Sequence, residues 1–535
     1  MPAIDLIHDF RSHLGKFKPD VVLKLWRECQ PRLLVVTDNL SFDAASAFGL
    51  SQFIQTLETS PIHGLLPKVI KASRGSAAPA DLPGFLFDDP TNGLLKSRHD
   101  VVFLFGFDGQ NATSLTASEL RAIGTFMQAG GGVFATGDHA DLGAALSKDV
   151  PRVREMRHWT SNIPNAADTT RLSTNVSGSN EVEDFEDQSD RRPQALYPNF
   201  RTLAGNPGVV GIPARAHPLL QLPATAAVPF PVIEVFPDHP HEGECHLAED
   251  LTTTFLVGSE KVEEWPSALV GGRVVPEAVA LTMSHGTGIG NFGKQALTPR
   301  AFLAVCAYDG HLASVGRVAT DATWHHFVNI NLDGTGSGLS ALQNPGPPPT
   351  DTAALLRIRQ YYRNLATWLM PQNTRRCLRF PWLIQELTRY PLFEEIAPLP
   401  PHPPGPDLDP LPFVRLGEQV ISSIALREPS FVTDALLEDA LSDAAGDKLA
   451  QELSRSGKEL GRLGPRDLAL GALGATVASV LDTLSNLRDP AEVKPHKTFE
   501  GPAQQKAQAT LRVLVDGQRQ ALHTIDKLLA RLGQR

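Results

Sequence analysis

GGGVFATGDHADLG, residues 130–143, is the stretch from which the rest of this chain can be read. The glycines close one element, Val133–Thr136 is a short apolar run of the kind that forms a buried strand, and Gly137 opens a tight turn. In α/β enzymes such a junction often carries a nucleophilic Cys or Ser. Here it carries Asp138 and His139, with Asp141 close behind, and no thiol or hydroxyl follows them.

Working outward, TASELRAIGTFMQ (116–128) places Thr116 and Glu119 in a capping-box pattern ahead of Leu120, Ile123, Phe126 and Met127, which predicts a helix ended by the glycines. Three further apolar runs, RLLVVTD (32–38), KVIKAS (68–73) and HDVVFLFGFDG (99–109), predict strands, with a helix near 44–57 between the first two. Strands alternating with helices at this spacing predict an α/β, flavodoxin-like fold, a mostly parallel sheet flanked by helices. Residues 151–230 break the rhythm and predict a long insertion, with STNVSGSNEVEDFEDQSDRR (173–192) as a polar surface excursion. Strands return at 230–237, 278–286, 300–310 and 314–322, followed by an amphipathic helix over 352–370. PLPPHPPGPDLDPLP (398–412) holds eight prolines in fifteen residues and predicts a semi-rigid linker. The expected division is an α/β domain over 1–395, a linker over 396–413, and an all-α region over 414–535. Leu511, Leu514, Val515, Leu522, Ile525, Leu528, Leu529 and Leu532 give the last helix an apolar face, suited to packing within a small bundle or to binding a protein partner or a second copy.

Composition narrows the function classes. At 535 residues with 42% hydrophobic and 20% charged content the chain has the balance of a globular protein. A net charge of −10 argues against nonspecific nucleic-acid binding, which needs a basic face. The longest apolar stretch, Leu468–Leu481, covers 14 residues, short of the roughly 20 a membrane helix needs. Charges interrupt the N-terminal apolar residues, so no secretory signal is expected. Cys29, Cys245, Cys306 and Cys377 are widely scattered with no CxxC pair, which argues against a disulfide framework and for a reducing, cytoplasmic setting.

Residues just beyond the carboxyl ends of parallel strands line the ligand crevice of open α/β sheets. On that ground Asp138 and His139 are candidate catalytic residues, although Asp138 or Asp141 would also serve as a helix cap. TDATWHHF (320–327) follows another strand and adds Asp321, His325 and His326, with Trp324 as a lid or packing group. Only one of two adjacent histidines is expected to face the site. FPDHPHEGECH (236–246) is rich in imidazole and carboxylate, and His239, His241 and Glu242, with His139, are candidate ligands for zinc, iron or manganese. PRVREMRHW (151–159) offers Arg152 and Arg157 as a clamp for an anionic substrate, unless it is simply a solvated helix face. A rival pair is His285 with Cys306, a histidine after one strand and a cysteine on the next, in the manner of caspase-like peptidases.

Taken together, GGGVFATGDH, the segment HPLL (217–220) and VGRVATDATWHH resemble the class I glutamine amidotransferase-like superfamily, nearest its trehalose-utilisation, ThuA-like branch. The resemblance spans about residues 30–370. It matches Gly137-Asp138-His139 to the turn that bears the nucleophile in amidotransferases, His217 to a His-Pro segment, and His325 or His326 to the late histidine. With His139 in the cysteine's place, glutamine hydrolysis through a thioester is chemically excluded. The resemblance implies instead a hydrolytic or carbohydrate-related reaction on a small molecule, with acid–base or metal chemistry. The competing class is a non-catalytic scaffold or ligand sensor whose helical region, 414–535, binds a partner.

Overall fold

Strand β1 (Arg32–Thr37) encloses five of its six side chains, and in the computed structural model it is the strand around which the others are arranged. The structure describes residues 27–75, 79–109, 114–138, 141–159, 193–202, 214–225, 228, 231–237, 243–284, 300–336, 342–389, 411–456, 465–486 and 495–532. From β1 the chain passes through helix α1 (Ser51–Thr59) to β2 (Lys68–Ser73) and the short β3 (Leu82–Pro83) on one side. It then crosses to β4 (Val101–Phe105) on the other side, and α2 (Ala117–Gln128) leads to β5 (Gly132–Thr136) and the single turn α3 (Ala144–Ser147). Every side chain of β4 and β5 is buried, as expected of strands covered on both faces.

Helix α2 shows why the sequence rules work here. Thr116 accepts the Glu119 backbone N–H at 3.3 Å while Glu119 accepts the Thr116 N–H at 3.1 Å, so the capping box is complete. Glu119 also binds the guanidinium of Arg74, just past β2, which ties the helix start to the sheet. At the far end Gly130 takes φ +89°, a left-handed turn that lets the chain drop straight into β5.

The insertion is not wholly an excursion. Residues 160–192 lie outside the described residues, but β6 (Gln194–Pro198) joins the central sheet, while β7 (Phe200–Thr202) and β8 (Ala214–Ala216) pair with each other. Of the strand expected over 230–237 only β9 (Val235–Phe236) enters the sheet, because residues 231–233 pair instead with 220–222: Ile233 donates its N–H to the Leu220 carbonyl and the Pro231 carbonyl accepts from Leu222. A separate hairpin, β10 (Thr254–Val257) with β11 (Glu260–Glu263), packs on α2. Long strands β12 (Glu277–Ser284) and β13 (Arg300–Tyr308) then lead to β14 (Val318–Asp321). The ten-stranded order is β3-β2-β1-β4-β5-β14-β13-β12-β6-β9. The first six strands are parallel and the last four antiparallel. The order β2-β1-β4-β5-β14 is the flavodoxin-like arrangement, and its switch point opens between the carboxyl ends of β1 and β4.

After β14 come α4 (Asn329–Asp333), α5 (Ala353–Trp368) and α6 (Gln372–Arg389), and then the helical region: α7 (Leu411–Ala425), α8 (Ser430–Ala445), α9 (Asp447–Ser456), α10 (Pro465–Asn486) and α11 (Pro495–Leu532). The Pro-rich stretch lies outside the described residues up to 410. Helix α10 is apolar on most sides because it runs between α7, α8 and α11. Among the described residues no helix is long and apolar enough to cross a membrane. One hydrophobic cluster runs from β1 and α5 through α6 into α7, α8, α10 and α11, so the helical region shares its core with the sheet. Arginines fasten the join: Arg375 meets Asp439 at 3.0 Å, Arg376 meets Asp447, and Arg379 meets Asp443.

At the amino edge of the sheet, Asp100, just before β4, takes Arg32 at 3.0 Å and the hydroxyl of Thr374 from α6 at 2.7 Å. Arg317, just before β14, takes Asp309 at 2.7 Å and donates to the Trp368 carbonyl. Here too the cysteine expectation is corrected: Cys29, three residues before β1, is disulfide-bonded to Cys377 on α6, leaving Cys245 and Cys306 as buried free thiols. A sequence separation of 348 gave no local pattern from which to read the pair.

Candidate active site at the carboxyl edge of the sheet

Four aspartates follow four adjacent parallel strands at their carboxyl ends: Asp38 after β1, Asp108 after β4, Asp138 after β5, and Asp321 as the last residue of β14. The turn after β5 owes its shape to close backbone packing. Asp138 donates its N–H to the Leu142 carbonyl, and Gly143, at φ +90°, leaves no room for a Cβ, which would meet the Gly137 Cα at 2.7 Å. The expected helix beyond this turn is only α3, four residues long, so it offers no anion-binding terminus.

Beyond β14 the chain folds into a 3-10 turn over Trp324–His326. Thr323 caps it, accepting the His325 N–H at 3.0 Å. Trp324 donates its N–H to the Gly137 carbonyl at 2.9 Å, which joins this turn to the one after β5. His326 is fully buried, with Nδ1 2.6 Å from Asp321 Oδ1. Tyr361 of α5 donates its hydroxyl to Asp321 Oδ2 at 2.8 Å, and burial followed by the Asp321 charge pushes that phenol well above its ordinary range. The His326 ring meets Asp321 through Nδ1, while its Nε2 makes no hydrogen bond. The Phe236 ring packs against the imidazole at 4.2 Å between centroids.

His325 turns to the other carboxylate. Its Nε2 lies 3.5 Å from Asp138 Oδ2, and its side chain retains 10% exposure where that of Asp138 has none. The ring stacks on Trp324 at 4.2 Å, and Phe48 meets both edge-on. Phe48 is brought there by Asn329 of α4, whose side-chain amide donates to the Asp43 and Ser46 carbonyls and accepts from Gln52 at the start of α1. For the same reason the helix expected from 44 begins only at Ser51: residues 43–50 form a loop around Asn329.

Asp138, Asp321, Trp324, His325 and His326 thus lie together at this edge, His325 partly exposed against Asp138 and His326 fully buried against Asp321. The arginines differ from expectation. Arg157 is completely buried beneath both turns, donating to the Asp138 carbonyl at 2.8 Å and the Ala322 carbonyl at 2.7 Å, with its guanidinium over Trp159. It braces the backbone of the site and is no solvated substrate clamp. Arg152 is further away: it packs over Tyr308, whose strand partner is Val318 at the amino end of β14, and donates to the Glu264 carbonyl. Three residues of strand, roughly 10 Å, separate that level from Asp321. Cys306 is buried in mid-strand opposite Ala278, whereas Ser284, the neighbour of His285, pairs with Arg300, six residues or roughly 20 Å along β13. Burial also pushes the Cys306 thiol well up, away from the thiolate a nucleophile requires. His217 accepts the Leu219 N–H and caps a 3-10 turn, a structural role. His139, His239, His241, Glu242 and His285 lie outside the described residues.

Three contributors went unread in the sequence: Thr323, Tyr361 and Asp38. Asp38 accepts N–H groups from Asn39 at 2.9 Å, Phe107 at 2.6 Å and Asp108 at 3.1 Å, and so closes the switch point between β1 and β4. Burial raises its pKa to about 6, against the opposing effect of those hydrogen bonds and with the nearby Asp108 charge adding to the rise. A carboxyl group raised in the folded state favours folding below about 4, and that contribution is lost as pH rises through about 6. Urea unfolding of the wild type and Asp38→Asn from pH 4 to 7 should therefore show the wild type losing roughly 2–3 kcal/mol relative to the variant. Parallel curves would mean that Asp38 titrates normally.

Comparison with protein-family models, with curated proteins and with solved structures finds no match to this chain.

Proposed function

We propose that the protein is an acid–base enzyme acting on a small molecule at the carboxyl edge of its sheet. One observation carries this reading: consecutive imidazoles, His325 and His326, each stand against a different buried carboxylate, Asp138 and Asp321, beyond the ends of two neighbouring parallel strands. His325 is the partly exposed member and takes or gives the substrate proton, with Asp138 orienting its ring and stabilising the imidazolium. His326 and Asp321 form the buried half that holds the turn in place. Trp324 and Phe48 supply an aromatic wall. The ThuA-like resemblance directs the choice of reaction toward hydrolytic or carbohydrate-related chemistry, and His139 in place of a cysteine directs it away from glutamine hydrolysis.

Among the described residues no group of three His, Cys, Asp or Glu is placed to hold a metal ion, so these residues do not form a shell by themselves. His326 Nε2, backed by Asp321, has the character of one imidazole donor. The other proposed ligands for zinc, iron or manganese, His139, His239, His241 and Glu242, lie outside the described residues, and no step is assigned to a metal. Plasma mass spectrometry of untagged protein, beside His326→Ala, tests this part on its own.

The acid–base reading is tested with a panel of chromogenic glycosides and esters. Turnover of at least one substrate should fall at least about a hundredfold in His325→Ala, with the fold retained. A His325→Ala variant as active as the wild type would remove the reading. Absence both of turnover and of any ligand-induced thermal shift would favour the scaffold class.

A further inference from the structure

Helix α6 is bracketed by two histidines far from the candidate site. His311 lies in the 3-10 turn Gly310–Ala313 between β13 and β14, and His63 in the turn between α1 and β2. Both are buried, at 5% and 7% exposure, and neither ring makes a hydrogen bond at Nδ1 or Nε2. His63 packs on Trp382 of α6 at 5.0 Å between centroids. The Leu312 carbonyl, beside His311, accepts from Gln451 of α9 at 3.4 Å. Both rings therefore sit in the seam where the amino edge of the sheet meets α6 and the helical region.

The charges that act most on the two rings are positive. Arg317, Arg375, Arg376 and Lys96 act on His311, and Arg375 and Arg363 on His63, so Arg375 is common to both. The acids nearby are engaged with these same cations: Asp309 with Arg317, Asp439 with Arg375, Asp447 with Arg376, Asp100 with Lys96 and Glu428 with Arg363. Glu386 of α6 is engaged with Arg427, and Glu438 of α8, near Arg375 and Arg317, has its carboxyl pushed up by burial. A neutral imidazole is tolerated in this seam. An imidazolium there brings buried N–H donors without acceptors next to fixed cations. Burial first, then those cations, oppose it, holding His63 down at about 3 and His311 well below its ordinary range.

The geometry points to this seam as an acid-sensitive junction: protonation of His311 and His63 in mild acid parts α6 and the helical region from the amino edge of the sheet. The disulfide between Cys29 and Cys377 keeps the two parts tethered. In the parted state both rings meet water and return to an ordinary value near 6.5. The closed state is thus fully favoured above about 6.5, and that preference is lost as pH falls from there toward 3. From pH 7 to pH 5 each histidine moves the balance toward opening about 25-fold, and the two together about 600-fold.

Gln451→Cys supplies the probe, because the Gln451 side chain is 6% exposed and reaches the turn bearing His311. Full-length protein carrying this change is labelled with a dithiodipyridine reagent at pH 7 and pH 5, each thiol followed by peptide mass. Every rate is divided by that of the urea-unfolded protein at the same pH. The native thiols Cys245 and Cys306, buried against the sheet, report global unfolding in the same sample. Relative labelling at 451 should rise by roughly 600-fold from pH 7 to pH 5 while Cys245 and Cys306 stay protected. With His311→Gln or His63→Gln added the rise should shrink to about 25-fold, and with both it should nearly vanish. Should the double variant fail to fold, His311→Phe and His63→Phe keep a planar ring without a titrating nitrogen and carry the same comparison. No rise at pH 5, or a rise of the same size in the double variant, overturns the inference. So does labelling of Cys245 and Cys306 in step with position 451, which would make the event global unfolding.

Discussion

Without the bond between Cys29 and Cys377 the protein loses about 4–5 kcal/mol of stability and unfolds at a correspondingly lower urea concentration. The expectation follows from span. The bond joins residues 348 apart, and closing so long a loop removes much of the freedom of the unfolded chain. It also joins the lead into β1 to α6, the helix that contacts α7, α10 and α11, so its loss is felt in both parts of the molecule. Unfolding curves with and without a dithiol reductant, beside the Cys29→Ser/Cys377→Ser double variant, measure the effect. Reduced wild type and double variant should coincide. Thiol titration under non-reducing denaturing conditions gives the independent check, with two reactive thiols, Cys245 and Cys306, expected. Four reactive thiols would remove the prediction and favour the reducing, cytoplasmic setting; two would favour a compartment in which such bonds persist.

Asp321→Ala is the second large effect, a loss of about 3–4 kcal/mol. Removing this carboxylate leaves the His326 Nδ1–H and the Tyr361 hydroxyl, both buried, without their acceptor, and each stranded donor costs about 1–3 kcal/mol. A small cavity adds to the loss. Asp321→Asn keeps an acceptor oxygen for one of the two donors and should cost about half as much. Turnover, however, should fall in both variants, because His326 no longer holds in place the turn that carries His325. Equal stability of the two variants would show that the stranded donors find other partners. Unchanged turnover in Asp321→Asn would show that His326 does not support the chemistry.

What could be read in the sequence was local. The box of Thr116 and Glu119, the strand Lys68–Ser73 and the helix over Ala353–Trp368 each announce themselves within a few residues, through capping chemistry or apolar periodicity. The site was half legible for a related reason. Asp138, Asp321 and the paired histidines follow strands whose carboxyl ends a parallel sheet must gather on one side. Tyr361 could not be read that way, because it reaches Asp321 from a helix 40 residues on and is one of several aromatic residues on that helix. Arg152 and Arg157 misled because charge usually signals solvent, while here the two guanidiniums lie over aromatic rings and their donors reach backbone carbonyls, a cheap form of burial that no spacing announces. Thr323 looked like a turn residue, which it is; its second bond, to Asp138, crosses 185 residues.

Two anchors, Asp100 with Arg32 and Thr374, and Arg317 with Asp309 and Trp368, lie at the amino edge of the sheet, opposite Asp138 and His325. Sequence drift at the partly exposed His325 is thereby less bound to folding than at the buried Asp321. A side chain in the crevice can be exchanged for one of different reactivity while the frame that displays it stays bolted from the other side.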